Sequence, residues 1–236
     1  MNLPDQPLVC LVTDRRRLAS AARTVRDELI ALDRVIDDAI AAGVDLVQVR
    51  ERDLDAAVLT GFVRRIVARA DGTPTCIVVN DRADVAIAAG AAGVHVRSDG
   101  PPAARLRALG PAGAWVIGRS CHADDASSVA AGADYVLFGA VFATTSKPGA
   151  TAAGIDALAH WCRATDVPVV AIGGLTPRGA EACAAAGAAG AAAIGAFLPE
   201  GQGPDAMGAR RAVPAFRAAL ARGIAARKSS DVPDEV

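Results

Sequence analysis

Two hydrophobic patterns alternate along most of the chain. Short runs such as 8–13, 75–79 and 135–138 are apolar at nearly every position and close on Asp, Asn or Gly. A run of that length, apolar on both faces, is the signature of a buried strand in a parallel sheet. Further strands are predicted at 45–50, 93–96, 114–118, 167–172 and 190–194. Between them lie segments with helical spacing: 15–32, 33–42, 54–70, 82–89, 101–109, 123–131, 155–165, the segment opened by Thr176-Pro177, and 205–222. Local signals mark their ends. Gly43 and Gly90 stop two of them, and Thr176-Pro177 supplies an N-cap and a first-turn proline. Asp124 and Asp125 suit the first turn of the helix predicted at 123–131.

Eight strands thus alternate with helices, with no linker or compositional break between them. Strict βα alternation predicts a parallel sheet with helices outside. This length and repeat number fit a single (β/α)8 TIM barrel, an α/β fold, over residues 1–225. Residues 226–236 are expected to form a disordered polar tail. A doubly wound open sheet competes, but no GxGxxG fingerprint follows the first strand.

Composition narrows the partners. Of 236 residues, 52% are hydrophobic but only 3% aromatic, so the core must be Ala, Val, Ile and Leu. Lys and Arg number 25 against 26 Asp and Glu. That balance argues against a nucleic-acid or acidic-membrane surface. Five scattered cysteines with no C-x-x-C pair read as reduced thiols in a cytoplasmic protein. The N-terminus lacks the pattern of a secretory signal, and no segment reads as a membrane span. Whether the barrel acts alone or as a homo-oligomer is left open.

In such a barrel, chemistry gathers where strands end. Those ends supply Gln48, Arg50 and Arg52, then Asn80 and Asp81, His95, Arg97 and Asp99, and Ser120 and His122. Thr144, Ser146 and Lys147 follow the sixth strand, Gly173 and Gly174 the seventh, and Ile194 and Gly195 the eighth. Most are donors, cations or glycines, which describes an anion-binding mouth. The glycine turns suit a phosphate. Arg50, Arg52, Asn80, Ser120 and Lys147 suit a larger anion such as pyrophosphate, with Mg²⁺ on Asp81. Plainer roles stand beside these. The glycine pair also suits a simple turn, Arg50-Glu51-Arg52 a surface ion-pair cluster, His95 the core and His122 a helix cap. Asp84 reads as a first-turn residue.

In their order, VQVRER (47–52), VNDRADVAIAAGAAGVHV (79–96), IGRSCH (117–122), YVLFGAVFATTSKPG (135–149) and VVAIGG (169–174) resemble the thiamine phosphate synthase and thiazole tautomerase family. The resemblance covers nearly the whole chain. It implies a thiamine-biosynthetic transferase joining an aminopyrimidine methyl pyrophosphate to a thiazole phosphate, with release of pyrophosphate. It assigns Gln48, Arg50, Asn80, Ser120 and Lys147 to the pyrimidine pyrophosphate, and Mg²⁺ to Asp81. The thiazole phosphate falls to the last two glycine turns, with Thr144 and Ser146 nearby.

The chain departs from the synthase pattern in three places. Arg52 stands where the synthase has Lys, which is not a neutral exchange. His95-Val96-Arg97-Ser98-Asp99-Gly100 replaces a run that would carry a second acidic metal ligand at position 100, so Asp99 is the candidate replacement. VQVRER and IGRSCH are closer to the tautomerase branch, in which His122 would move protons on a thiazole carboxylate phosphate. The intact Asn80-Asp81 pair favours the synthase. A silent relative that binds thiazole phosphate without turning it over is the third reading.

Overall fold

The computed structural model describes residues 7–18, 24–111, 115–145, 149 and 151–230. Eight parallel strands close into a barrel in chain order. They are β1 (Leu8–Val12), β2 (Leu46–Val49), β3 (Cys76–Asn80), β4 (Gly93–Val96), β5 (Val116–Cys121), β6 (Tyr135–Gly139), β7 (Val169–Ile172) and β8 (Gly190–Ala193). Leu8 lies opposite Gly190 where β8 returns to β1. Outside lie α1 (Val25–Ala41), α2 (Ala56–Ala70), α3 (Ala83–Ala89), α4 (Ala103–Arg107), α5 (Gly154–Ala164), α6 (Pro177–Ala185) and α7 (Ala209–Ser230). This is the (β/α)8 barrel that the alternating pattern predicts.

Because successive strand residues face opposite sides, closure sorts the apolar side chains into two cores. Leu8, Cys10 and Val12 join Leu46, Cys76, Val78, Val116, Tyr135, Leu137, Val170 and Ala192 in the barrel interior. Val9, Leu11, Val47, Val49, Ile77, Val79, Ile117, Val136 and Phe138 pack beneath the helices. Gly118 makes room for the bulkiest interior pair, since a Cβ there would overlap the Tyr135 ring and His95 Nδ1. At the barrel base Asp45 Oδ2 accepts from Val9 N at 2.8 Å and from Arg217 Nη2 at 2.9 Å, tying α7 to β1. The five cysteines form no disulfide, and four of them are buried. Among the described residues no helix is long and apolar enough to cross a membrane.

Several boundaries differ from the sequence expectation. The helices predicted at 15–32 and 33–42 are replaced by a 3₁₀ turn, Arg15–Leu18, and the single helix α1. Thr24 caps α1 by accepting from Asp27 N at 3.2 Å, and the buried stripe Leu29, Leu32, Val35, Ile36 and Ala39 crosses the expected break without a glycine or proline. Residues 123–131 form only a 3₁₀ turn, Ser127–Ala130. Asp125 is bonded to His122 N at 2.8 Å, and such a side-chain bond offers the backbone an alternative to a helix. Helix α7 runs to Ser230, so residues 226–230, expected in the tail, are helical. Gly223 allows that longer helix to approach the Glu181 carbonyl and Ala184 of α6 closely. Residues 231–236 lie outside the described residues.

One ion network ties β1, β2 and α1 together. Arg15, only 3% exposed, lies 2.8 Å from Glu28, 3.0 Å from Glu51 and 2.7 Å from Asp53. Buried Glu51 also accepts from Thr13 Oγ1 at 2.6 Å, and Thr13 Oγ1 accepts from Arg50 N at 2.9 Å. The Arg15 guanidinium holds the Asp53 carboxyl down at about 2. Burial pushes Glu51 up, against the bonds from Thr13 and Arg15. Arg15→Met strands the Glu51 carboxylate in the interior, and urea unfolding is expected to show a loss of about 3 kcal/mol. Arg16→Ala, at a side chain 61% exposed, is expected to change stability by less than about 0.5 kcal/mol.

Candidate active site

A cavity of about 350 Å³ opens at the C-terminal ends of the strands. Val12, Leu137, Ile172 and Ala192 give it apolar surface. Gln48, Arg50 and Arg52 reach it from the end of β2, Asn80 from β3, Ser120 and His122 from β5, and Thr144 from the segment after β6. Gly173 and Gly174 follow β7, and Ile194 and Gly195 follow β8. Gly173 (φ 101°) and Gly174 (φ 62°) occupy backbone conformations that side chains disfavour. Asp81 and Asp99 are not in this lining, and Ser146 and Lys147 lie outside the described residues.

Two charged lining residues escaped the sequence reading: Arg17 and Asp205. The signal for the first was the arginine triplet 15–17 immediately after a strand, which helical periodicity had absorbed.

An oriented chain of amides crosses the β2–β3 side. Gln48 Nε2 donates to Asn80 Oδ1 at 2.8 Å, and Asn80 Nδ2 donates to Asp81 Oδ2 at 2.9 Å. Arg97 N donates to Asp81 Oδ1 at 3.3 Å. An ionised carboxylate only accepts. Asp81 therefore dictates the direction of both amides. The consequence is a buried Gln48 Oε1 with no hydrogen-bond partner among the described residues. A buried acceptor left open costs energy unless a ligand completes it. Asp81 itself has φ 59°, unusual for a residue other than glycine.

A second chain runs through the barrel interior. Tyr135 OH lies 3.1 Å from His95 Nδ1, and His95 Nε2 lies 2.9 Å from Ser120 Oγ. The fully buried tyrosine hydroxyl has no other partner among the described residues, so its proton goes to Nδ1. The ring proton then sits on Nε2 and points at Ser120 Oγ. Ser120 is left with its own O–H to donate into the cavity. Burial, aided by Arg119, lowers the His95 pKa to about 3. His95 is thus a core histidine that orients a site hydroxyl.

Two further contacts shape the rim. Asp125 accepts from His122 N and lies 3.2 Å from His122 Nδ1, which fixes that ring at the cavity edge. Buried Arg119 donates to the carbonyls of Arg97, Ser98 and Gly100 at 3.1 to 3.2 Å, and to that of Pro101. It clamps the segment carrying Asp99, whose carboxylate sits 3.2 Å from Arg97 Nε in an exposed ion pair. At the mouth, burial and then neighbouring Arg52 lower the Arg50 pKa. Nearby Asp14 and Glu51 act the other way without cancelling the burial.

The His95 assignment has a pH signature. Its folded value, about 3, lies below the ordinary 6.5, so unfolding takes up a proton between them. The associated stability is complete above pH 6.5. It falls as pH drops towards 3, by up to about 1.4 kcal/mol per unit. Nitrogen-resolved NMR is expected to show neutral His95, protonated on Nε2, down to about pH 4. His95→Gln is expected to remove that part of the acid sensitivity.

Residues 10–197 match the family model described as thiamine monophosphate synthase. A putative thiamine-phosphate synthase of Geobacter sulfurreducens is 39% identical over 193 residues, covering 80% of this chain and 86% of that protein. A thiamine-phosphate synthase of Anaeromyxobacter dehalogenans is 41% identical over 193 residues, covering 80% and 83%. Among solved structures, thiamine phosphate pyrophosphorylase from Pyrococcus furiosus superposes with a TM-score of 0.74 at 24% identity, over 94% of this chain and 100% of that one. At that identity the superposition speaks for the fold.

Proposed function

The chain belongs to the thiamine monophosphate synthase family, and we propose that it joins an aminopyrimidine methyl pyrophosphate to a thiazole phosphate. The bond from the pyrimidine methylene carbon to the pyrophosphate oxygen breaks, and its electron pair leaves with pyrophosphate. The thiazole nitrogen lone pair then forms the new C–N bond, giving thiamine phosphate. The exchange requires no strong base. It requires fixed positive charge where negative charge develops, and donors that hold two anions apart.

The carrying observation is the oriented amide chain with its open acceptor, beside Arg50 and Arg52 in one cavity. Gln48 Oε1 is an acceptor suited to the exocyclic amine of an aminopyrimidine. Arg50, Arg52, Asn80 and the Ser120 hydroxyl suit the pyrophosphate. Thr144 and the backbone at Gly173, Gly174, Ile194 and Gly195 suit the monophosphate. Lys147 belongs to the same reading as a further cation for the leaving group, with Ser146 on the thiazole side. The reading also makes the protein cytoplasmic, in keeping with five cysteines that form no disulfide.

Mg²⁺ is commonly held by one or two carboxylates together with substrate phosphates. Asp81 offers one carboxylate next to lining residue Asn80, just outside the cavity lining. Asp99 is paired with Arg97, and among the described residues no three His, Cys, Asp or Glu are grouped to hold an ion. The donor set fits an ion that arrives with pyrophosphate and takes Asp81 as its protein ligand. In this reading Asp99, paired with Arg97, is not required as a second ligand. When bound, the ion would offset charge on the leaving pyrophosphate.

A second reading rests on a separate observation, the Asp125-oriented His122 ring at the cavity edge. That pair suits acid/base isomerisation of a thiazole carboxylate phosphate without pyrophosphate. Purified protein supplied with both substrates and Mg²⁺ is expected to release pyrophosphate. Arg50→Ala is expected to lower kcat/KM about a hundredfold. Asp81→Asn frees the amides to reverse, and KM for the pyrimidine substrate is expected to rise about tenfold. His122→Ala is expected to release pyrophosphate at nearly the wild-type rate. No pyrophosphate at any Mg²⁺ concentration, with metal-free isomerisation abolished in His122→Ala, would establish the second reading instead.

A further inference from the structure

We propose that Arg17 is the cation of the monophosphate sub-site, binding the phosphate of the thiazole substrate between the segment after β6 and the turn after β8. The inference rests on the synthase reading and adds a residue to it. Three arginines in succession, Arg15, Arg16 and Arg17, occupy the 3₁₀ turn after β1. That geometry has three residues per turn, so successive side chains point about 120° apart. Arg15 points inward to Glu51 and Asp53. Arg16 points to solvent, with only a 3.6 Å approach to Asp14. Arg17 points into the cavity.

The position of its guanidinium decides which anion it serves. Arg17 Nη2 donates to Thr145 Oγ1 at 3.2 Å. Nη2 and Nη1 also lie 3.5 and 3.6 Å from where a Gly195 Cβ would sit, and Nη2 lies 4.0 Å from the same point at Gly203. The charged group therefore spans from Thr145 to the β8 turn and covers Gly195. In the closed barrel β1 lies between β8 and β2, so a residue after β1 has two anions within range. These contacts put it on the β8 side, while Arg50 and Arg52 hold the β2 side.

Charge and shape agree. Among the described residues lining the β7–β8 side, Arg17 is the cation and Asp205 the carboxylate. A phosphate there needs a neighbouring positive charge to offset Asp205 as well as to bind. The planar guanidinium fork matches phosphate oxygens in a way a lysine does not. Arg15 makes the arrangement rigid. Its ion network fixes the turn before substrate arrives, so little freedom is lost on binding.

The test compares wild type, Arg17→Ala, Arg17→Lys and Arg16→Ala, each checked for unchanged thermal unfolding. Two measurements are made: steady-state pyrophosphate release, and calorimetric binding of thiazole phosphate and of its dephosphorylated alcohol. Arg17→Ala is expected to raise KM for thiazole phosphate about ten- to a hundredfold. KM for the pyrimidine pyrophosphate is expected to stay within about twofold. In calorimetry the same variant is expected to lose the preference for the phosphate ester over the alcohol, and Arg17→Lys to recover part of it. Arg16→Ala is expected to match wild type. Normal thiazole phosphate binding by Arg17→Ala overturns the proposal and leaves the synthase reading intact. A rise confined to KM for the pyrimidine substrate assigns Arg17 to the other anion and also overturns it. Wild-type protein that binds the ester no better than the alcohol overturns this proposal together with the function beneath it.

Discussion

Closure of eight short strands is the constraint from which the rest follows. In a closed parallel barrel every strand alternates between interior and helix layer, and all the C-terminal ends meet at one mouth. Gln48 keeps the inward parity of Leu46, Asn80 that of Cys76 and Val78, and Ser120 that of Val116 and Gly118. Each is the polar continuation of an apolar interior row. The pairing of Leu46 with Cys76 and of Gly118 with Tyr135 therefore fixes where the amides and the hydroxyl emerge. A one-residue slip in any strand would turn its site residue into the helix layer.

The mouth is set by groups that do not enter it. Asp81, outside the cavity lining, can only accept, and this fixes the direction of two amides and leaves Gln48 with an open acceptor. Tyr135, at the centre of the barrel, must donate, and through neutral His95 this leaves Ser120 a donor. Arg119 holds the carbonyls of the segment after β4 and contributes to keeping His95 neutral. Side chains oriented in advance by buried partners lose less entropy when a substrate arrives.

The strands and their polar ends were legible in the sequence because the apolar runs are short, bounded and strictly alternate with helical segments. Gln48, Arg50, Arg52, Asn80, Ser120, His122 and Thr144 were found that way, and they line one cavity. What escaped depended on direction within a segment. Residues 15–17 carry charges at every position, so a periodicity argument folds them into the following helix. Only the 3₁₀ turn separates an inward, an outward and a mouth-facing arginine. Asp125 looked like a helix-start residue, yet its carboxylate binds back to His122, and little helix follows. The resemblance implies Asp99 as a replacement metal ligand. Its neighbour Arg97 takes up its carboxylate, a pairing that composition cannot foresee.

The same distinction explains how a chain of net charge -1 presents a cationic mouth. The charges are sorted rather than unequal. Arg15 is offset by Glu28, Glu51 and Asp53, and Arg16 lies near Asp14, none of them in the cavity lining. On the helix surface Arg69 meets Asp33 and Asp37, and Arg107 meets Asp134. Arg17, Arg50 and Arg52 line the cavity, with Asp205 as the carboxylate among the described lining residues. A surface ion pair contributes little to stability. Its larger effect here is on the field: most acids lie outside the lining, so cations outnumber carboxylates on the described cavity wall. Low-dielectric walls concentrate that field in the cleft. For an enzyme whose two substrates are both phosphorylated, sorting of this kind supplies the attraction without making the whole protein basic.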